Sequence, residues 1–223
     1  MNRSEINAAQ ASAVLLLARN HFRLPLWAFW DMEKWRKHPA LASRIRSLQM
    51  GWDITDFGGN DFKKRGLLLF CLRNGRAGEK EGKQYAEKIM MVREGQETPL
   101  HFHFRKKEDI IVRAGGGLAL ELYDSDKAGG LLKNDVRVFV DEMENTVKAG
   151  APLHLNPGQS ITLVPGCYHR FYGLAGRGSV LVGEVSDVND DNTDNRFFEP
   201  LGRFPEIRED EPVLYPLWKE IPG

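Results

Sequence analysis

The sequence predicts a mainly β protein, a barrel or sandwich of short strands that follows an α-helical N-terminal extension. From Gly51 onward, short runs rich in β-branched and aromatic residues alternate with Gly, Asp and Asn turn signals. No helical period of useful length interrupts these runs, whereas the first fifty residues carry helix caps and helical patterns. We therefore expect a helical extension over 1–50, packed on a β-barrel domain over 51–223 that ends in an irregular tail.

The extension contains two candidate helices. Ser4 is a candidate N-cap for a helix through AAQASAVLLLARNHF, and Asp31 is a candidate N-cap for a second through MEKWRKHPALASRIRSLQ. The segment LPLWAFW between them has too many aromatic residues for a free linker. It is expected to pack on the main domain or on a second subunit.

The β region consists of short strand-like runs separated by turn residues. They are RGLLLFCLRNG, KQYAEKIMMVREG, GGLALELYDSD, DVRVFVDE, QSITLVPG, HRFYGL and SVLVGEVS. The C-terminal segment FFEPLGRFPEIREDEPVLYPLW has prolines that prevent long regular elements, and aromatic residues that favour packing on the barrel.

Composition limits the partners and the compartment. The 223 residues carry a formal charge of zero without a long basic run, which argues against nucleic acid or an anionic membrane surface as the main partner. The apolar run AVLLLA is far shorter than the roughly 20 residues that a bilayer requires. The two cysteines, Cys71 and Cys167, are too few for a disulfide framework. We expect a soluble, cytoplasmic protein.

The segment HFHFRKKED, residues 101–109, predicts a metal site. In a strand, His101 and His103 leave the backbone on the same side, and Glu108 follows after a short turn. His169 follows a Pro-Gly turn in PGCYHRF, where a distant strand can direct it into the same pocket. Three imidazoles and a carboxylate suit a divalent ion and leave positions open, which favours catalysis or ligand binding over a purely structural role.

The same residues resemble the two cupin motifs. Gly95, the two histidines, Glu108 and Gly115 have the spacing of the first motif at every fixed position. The second motif is matched in part, by Gly158, Gly166 and His169, with its proline displaced to Pro165 and its final asparagine replaced by Gly173. The resemblance implies a cupin β-barrel of the jelly-roll type that holds one metal through His101, His103, Glu108 and His169.

Longer segments resemble the D-lyxose isomerase family of cupin sugar isomerases. They are GWDITDFG, YAEKIMMVREGQETPLHFHF, PGCYHRF and VLVGEVSDVNDDNTDNRF, and the similarity spans nearly the whole chain. The resemblance implies interconversion of D-lyxose with D-xylulose, and of D-mannose with D-fructose. It also implies a divalent metal, Mn²⁺ before Zn, Fe, Co or Ni, a small-molecule sugar as substrate, and a homodimer.

Two charged residues interrupt otherwise apolar strands and are candidates for catalysis. Glu184 in SVLVGEVS must face a polar cavity or bear the cost of burial, and we favour it as the general base. Lys88 in AEKIMMV is a candidate proton donor or clamp on a sugar oxygen. An edge-strand glutamate and a lysine at the barrel rim are the structural alternatives. Glu199 and Glu206 remain open as alternative bases.

Polar residues near the C-terminus are weaker candidates for sugar binding. Asp187, Asp191 and Asp194 belong to an Asp/Asn cluster that either covers the sugar or forms solvated turns. Arg203 either reaches the pocket or binds carboxylates of the tail. Two other functions are compatible with the metal motif, a cupin non-haem iron oxygenase and a sugar-binding cupin without catalytic activity.

Overall fold

A computed structural model describes residues 1–190, 193–202 and 205–223. It confirms the predicted fold class, a mainly β cupin barrel with N-terminal helices. The helices are α1 (Arg3–Arg19), a 3₁₀ turn (Leu26–Phe29), α2 (Met32–Arg36) and α3 (Pro39–Ser47). The strands within the described residues are β1 (Gly51–Thr55), β2 (Leu67–Arg73), β3 (Tyr85–Val92), β4 (Glu97–His103), β5 (Glu108–Gly115), β6 (Leu118–Tyr123), β7 (Val136–Val140), β8 (Met143–Val147), β9 (Leu153–Leu155), β10 (Ser160–Leu163), β11 (Tyr168–Gly173), β12 (Val180–Asp187) and β13 (Asn195–Phe197).

The strands form two antiparallel sheets. The larger sheet has the order β1-β2-β3-β12-β5-β10-β7-β8, and the smaller has the order β13-β4-β11-β6-β9. Strands β4 and β5 are consecutive in the chain but belong to different sheets. The short turn between them, residues 104–107, therefore crosses from one sheet to the other and brings the two halves of the HFHFRKKED segment together.

Alternation along β12 separates two apolar layers. Val180 and Val182 belong to the cluster that includes Phe171 of the smaller sheet, so they face the barrel interior. Leu181 belongs to the cluster that includes Ile6 of α1, on the outer face of the larger sheet. Because Glu184 continues the even-numbered series, its carboxylate enters the interior, as the alternation predicts.

The helix boundaries differ from the sequence predictions, and α1 ends at Arg19, before the predicted end at Phe22. Asn2, not Ser4, caps α1, and its backbone N–H donates to Glu5 Oε2 at 2.8 Å. The second predicted helix is divided into α2 and α3, because Pro39 lacks an N–H and its ring cannot follow a preceding helical turn. Asp31 caps α2 as expected, accepting from the Lys34 N–H at 2.7 Å.

The helices pack on the barrel. Trp27 of the LPLWAFW segment lies 5.0 Å from Phe70 between ring centroids, which confirms that the segment packs on the main domain. Trp35 and Ile45 share a core cluster with Val112 of β5. The division of the chain near residue 50 stays a prediction. No helix among the described residues is long and apolar enough to cross a membrane.

Candidate active site

Three histidines of the smaller sheet converge inside the barrel. His101 and His103 lie on β4, and His169 lies on β11 directly opposite His101 in the antiparallel register. One ring nitrogen of each histidine lies within 4.8 Å of the others. The three side chains are buried. The strand period thus explains the shared face of His101 and His103, and cross-strand pairing adds His169.

Backbone carbonyls orient two of the imidazoles. His101 Nδ1 lies 2.8 Å from the Pro99 carbonyl oxygen, and His169 Nδ1 lies 3.1 Å from the Cys167 carbonyl oxygen. Because a carbonyl only accepts, each Nδ1 carries the hydrogen and each Nε2 keeps a lone pair. This is the tautomer and the outer hydrogen bond that metal-binding histidines commonly show.

Glu108 reaches the histidines from the larger sheet, at the start of β5. Its Oε1 lies 3.3 Å from His103 Nε2 and 3.1 Å from His169 Nε2. This oxygen is buried and has no hydrogen-bond partner among the described residues. The imidazoles of His101 and His169 and this Glu108 oxygen therefore offer lone pairs, and His103 Nε2 lies 3.3 Å from the same oxygen. A cation between these groups stabilises such an arrangement. The donor set fits a divalent metal ion.

Glu184 lies beside this cluster with two lysines. It is opposite Lys88 in the β12–β3 register, and Lys88 Nζ lies 3.1 Å from Oε1 and 3.3 Å from Oε2 of the carboxylate. Lys106 Nζ donates to Glu184 Oε1 at 2.8 Å, and the Ser186 hydroxyl donates to the same oxygen at 3.1 Å. Lys88 and Glu184 are each 5% exposed, so neither is a rim or edge residue.

Lys106 was missed in the sequence reasoning. It is 4% exposed, and its Nζ is 2.7 Å from Glu108 Oε2 as well as 2.8 Å from Glu184 Oε1. One ammonium group thus connects the predicted metal ligand with the predicted base. The sequence feature that could have identified Lys106 is its position between His103 and Glu108, two predicted metal ligands. In the structure this turn crosses from one sheet to the other. Its neighbour Lys107 is exposed and carries no such role.

The charges of the cluster determine the protonation states. Burial acts to raise the pKa of Glu184, but Lys106 and Lys88 outweigh it and bring the pKa below its usual value. Burial likewise opposes ionisation of Glu108, whereas Lys106 and His103 bring its pKa well below the usual range. Burial, followed by the neighbouring His169 and His103, lowers the pKa of His101. Near pH 7 both carboxylates are ionised and His101 is neutral, the forms that bind metals.

A narrow cavity of about 50 Å³ opens onto this cluster. Lining residues that the sequence analysis did not assign include Thr55, Phe57, Thr98, Asn195 and Phe197. Phe197 of β13 pairs with His101 in register, with ring centroids 5.4 Å apart, and Phe57 contacts Phe197 at 5.6 Å. Apolar residues in a polar C-terminal segment were the available signal for Phe197. The two phenylalanines form an apolar wall on the His101 side of the cavity.

The structure describes two of the aspartates proposed for sugar binding, and both lie outside the cavity lining. Asp187 accepts from the Lys107 backbone N–H at 3.0 Å. Asp194 accepts from the backbone N–H groups of Arg105 and Lys106, at 2.9 and 3.0 Å, and so holds the turn that carries Lys106. Neither is among the residues that line the cavity. The other two candidates, Asp191 and Arg203, lie outside the described residues.

The alternative bases also lie away from the cavity. Glu199 is 60% exposed at its side chain and pairs with Arg65 at 3.2 Å. Glu206 is exposed, and its backbone carbonyl accepts from the N-terminal ammonium group at 2.8 Å. Only Glu184 among the three lines the described cavity.

Comparison with known proteins gives the same family as the motifs. The sequence pattern of the family described as D-lyxose isomerase matches residues 1–221. The chain belongs to the D-lyxose isomerase family. A curated relative from Serratia proteamaculans, a D-lyxose/D-mannose isomerase, is 50% identical over 90% of this chain and 85% of its own length. A relative of the same name from Escherichia coli O157:H7 is 46% identical over 99% of this chain and 98% of its own.

Solved structures of sugar isomerases share the fold of this family member. The L-ribose isomerase of Cellulomonas parahominis, solved with L-ribose, has a TM-score of 0.60 at 15% identity, over 88% of this chain and 92% of that chain. The L-ribose isomerase of Acinetobacter sp. DL28, also with L-ribose, has a TM-score of 0.59 at 16% identity over the same shares. At these identities the likeness concerns the barrel alone. Membership of the family makes the chain a sugar isomerase.

Proposed function

We propose that the protein interconverts D-lyxose with D-xylulose, and D-mannose with D-fructose, by a metal-assisted proton transfer. The observation that carries the proposal is the buried Glu184 carboxylate, bound by Lys88 and Lys106 beside three histidines and Glu108 that suit a divalent cation. Both curated relatives are named for these two aldoses. An aldose–ketose exchange moves a proton between adjacent carbons and so requires a base and stabilisation of oxygen charge.

His101, His103, His169 and Glu108 would hold the ion, for which we propose Mn²⁺. When bound, the ion supplies a Lewis acid for the carbonyl and adjacent hydroxyl oxygens of the sugar. The carbonyls behind His101 and His169 keep both imidazoles in the ligating tautomer. Lys106 Nζ binds Glu108 Oε2, and the other carboxylate oxygen, Oε1, faces the histidines.

The hydrogen bonds of Glu184 favour one of its two oxygens as the base. Oε1 accepts from Lys106 Nζ at 2.8 Å and from Lys88 Nζ at 3.1 Å, and the Ser186 hydroxyl, 3.1 Å away, shares its one hydrogen with the Asp187 carbonyl oxygen. Oε2 has one longer contact, 3.3 Å from Lys88 Nζ. We assign Oε2 as the atom that removes the proton from C2 of the aldose and delivers it to C1. The electron pair of the broken C–H bond passes into an enediolate, and the oxygen-bound proton moves from O2 to O1.

The two lysines supply positive charge without being the base. Lys88 and Lys106 keep Glu184 ionised although it is buried, and they fix the carboxylate so that it does not reorganise during transfer. The wall formed by Phe57 and Phe197 excludes water on the side of His101 and offers an apolar surface to the C–H groups of the sugar.

The test is conversion of D-lyxose under argon by the purified protein loaded with Mn²⁺. We expect D-xylulose, exchange of the C2 hydrogen in deuterated water, and loss of both after chelation. Turnover that requires air and Fe(II) would instead support the iron oxygenase. Saturable sugar binding without C2 exchange would support a non-catalytic binding protein. The homodimer is likewise a proposal, which light scattering of the purified protein tests.

A further inference from the structure

A buried asparagine, Asn74, lies behind the site and is not part of the cavity lining. It follows β2 and is 2% exposed. Its amide nitrogen donates to the carbonyl oxygens of Leu48, at 3.0 Å, and of Asn189, at 3.1 Å. Its amide oxygen accepts from the backbone N–H groups of Gly75, at 3.0 Å, and of Asn189, at 2.9 Å. One side chain therefore binds both backbone polar groups of Asn189.

Asn189 in turn contacts the catalytic cluster. Its side chain is 5% exposed, and its Oδ1 accepts a hydrogen bond from Lys88 Nζ. An ammonium group has three hydrogens, and Lys88 directs its bonds to the two oxygens of Glu184 and to this amide oxygen. In a buried setting, loss of one acceptor leaves a donor unpaired and allows the ammonium to rotate.

We propose that Asn74 and Asn189 are positioning residues that orient the Lys88 ammonium group toward Glu184. This inference rests on the proposed role of Glu184 as the base. The chain of contacts runs from the end of α3, at Leu48, through Asn74 to the loop after β12 and then to Lys88. It connects the helical extension with the catalytic carboxylate without passing through the metal ligands. Its removal changes the orientation of the base more than the affinity for the cation.

Gly75, the residue after Asn74, packs closely against the backbone of Lys83 and the side chain of Val188. A Cβ built on Gly75 would lie 1.7 Å from the Lys83 carbonyl oxygen and 3.0 Å from a methyl of Val188, the residue before Asn189. Only glycine fits this position without displacement of the backbone. The loop that carries Asn189 is therefore held by Asn74 through hydrogen bonds and approached closely by Gly75.

Two variants test the proposal, with Asn156→Asp as the matched control. Asn74→Asp keeps the shape but replaces the donor that faces two carbonyl oxygens, and Asn189→Ala removes only the acceptor for Lys88 and keeps the backbone contacts of Asn74. Asn156 lies on the surface and bonds to Gln159 and Arg177. The readouts are kcat and KM for D-lyxose, Mn²⁺ affinity, melting temperature, and the isotope effect on kcat with D-lyxose deuterated at C2.

We expect both variants to lose roughly tenfold or more in kcat, while KM and Mn²⁺ affinity stay within about threefold, because the misaligned base slows proton removal. The isotope effect should rise, which a loss of stability alone does not produce. An unchanged kcat and isotope effect in folded Asn189→Ala protein would overturn the proposal, even if Asn74→Asp fails to fold. Inactive wild-type protein would instead refute the proposed function. If the wild type is active and Glu184→Gln is inactive, the role of Glu184 as base stands, and the two asparagine variants then test the positioning role alone.

Discussion

Lys88 and Glu184 lie directly opposite each other on β3 and β12, with Lys88 Nζ 3.1 Å from Glu184 Oε1 inside the barrel. A buried ion pair of this kind contributes little to stability, because desolvation of both charges offsets their attraction. A chain that needed only a stable barrel would be served as well by two apolar residues at these positions. The pair therefore indicates a functional role, and the second ammonium, from Lys106, strengthens that interpretation.

The first prediction concerns the base. Glu184→Gln removes the anionic oxygen but keeps the size of the side chain, so kcat for D-lyxose should fall by about 10² to 10⁴, the usual contribution of a general base. Bound Mn²⁺, measured by elemental analysis, should stay near the wild-type level because no ligand is altered. Glu199→Gln is the matched control, since Glu199 is exposed and pairs with Arg65 outside the cavity. Wild-type turnover in the Glu184 variant would reassign the base.

The metal ligands give a second prediction. His169→Ala removes one of the three imidazoles that lie within 4.8 Å of one another, so the variant should lose both the cation and activity. His154 on β9 is exposed and serves as the control, for which His154→Ala should keep both. Titration of the metal-free proteins with Mn²⁺ measures the difference without reference to turnover. Equal affinity in the two variants would exclude His169 as a ligand.

The apolar wall gives a third prediction. Phe197→Ala should raise KM for D-lyxose several-fold, because the ring that lies 5.4 Å from the His101 ring also lines the cavity. Its neighbour Phe198 contacts Tyr168 instead and is 49% exposed, so Phe198→Ala should leave KM near the wild-type value. Steady-state kinetics with D-lyxose and D-mannose compare the two variants. A KM effect of the same size in both would show that the wall has no special role.

Much of the site could be predicted from local sequence because its chemistry follows strand periodicity. The spacing of His101 and His103 placed two imidazoles on one face, and the apolar neighbours of Glu184 on β12 placed its carboxylate in the interior. The same reasoning applied to Lys88 on β3. The cupin motifs predicted the type of β-barrel, and the structure confirms a cupin barrel.

The parts that were missed depend on contacts between distant segments. Lys106 lies in a turn that Asp194 binds, and its ammonium group donates to Glu184 across the cavity. Phe197 reaches the site because β13 pairs with β4, a pairing of a three-residue strand that has no strong local signal. The helix break at Pro39 is an exception, because it was missed although its cause is local: proline disfavours a continuous helix.

The last prediction concerns the attachment of the N-terminal helix to the C-terminal tail. Arg3 of α1 is 1% exposed and binds Glu209 through Nε and Nη2, at 2.8 and 2.7 Å, and also binds Glu220. Arg3→Met removes these charge-assisted hydrogen bonds, and we expect a loss of about 2 kcal/mol in the free energy of unfolding. For a chain of this size that corresponds to a fall of roughly 4–8 °C in melting temperature, measured by calorimetry. Arg137→Met is the control, because the Arg137–Glu144 pair lies on the surface and should contribute little.

The effect of Arg3→Met should also depend on pH. The hydrogen bond from Arg3 lowers the pKa of Glu209 below its usual 4.5. A carboxyl with a lowered folded-state pKa stabilises the fold fully above its unfolded pKa, and this contribution is lost as the pH falls through the folded value. The difference in unfolding free energy between wild type and Arg3→Met should therefore be largest near pH 7 and smaller at pH 3. A difference that stays constant between these two pH values would show that Arg3 acts through packing of its aliphatic stem and not through the carboxylate.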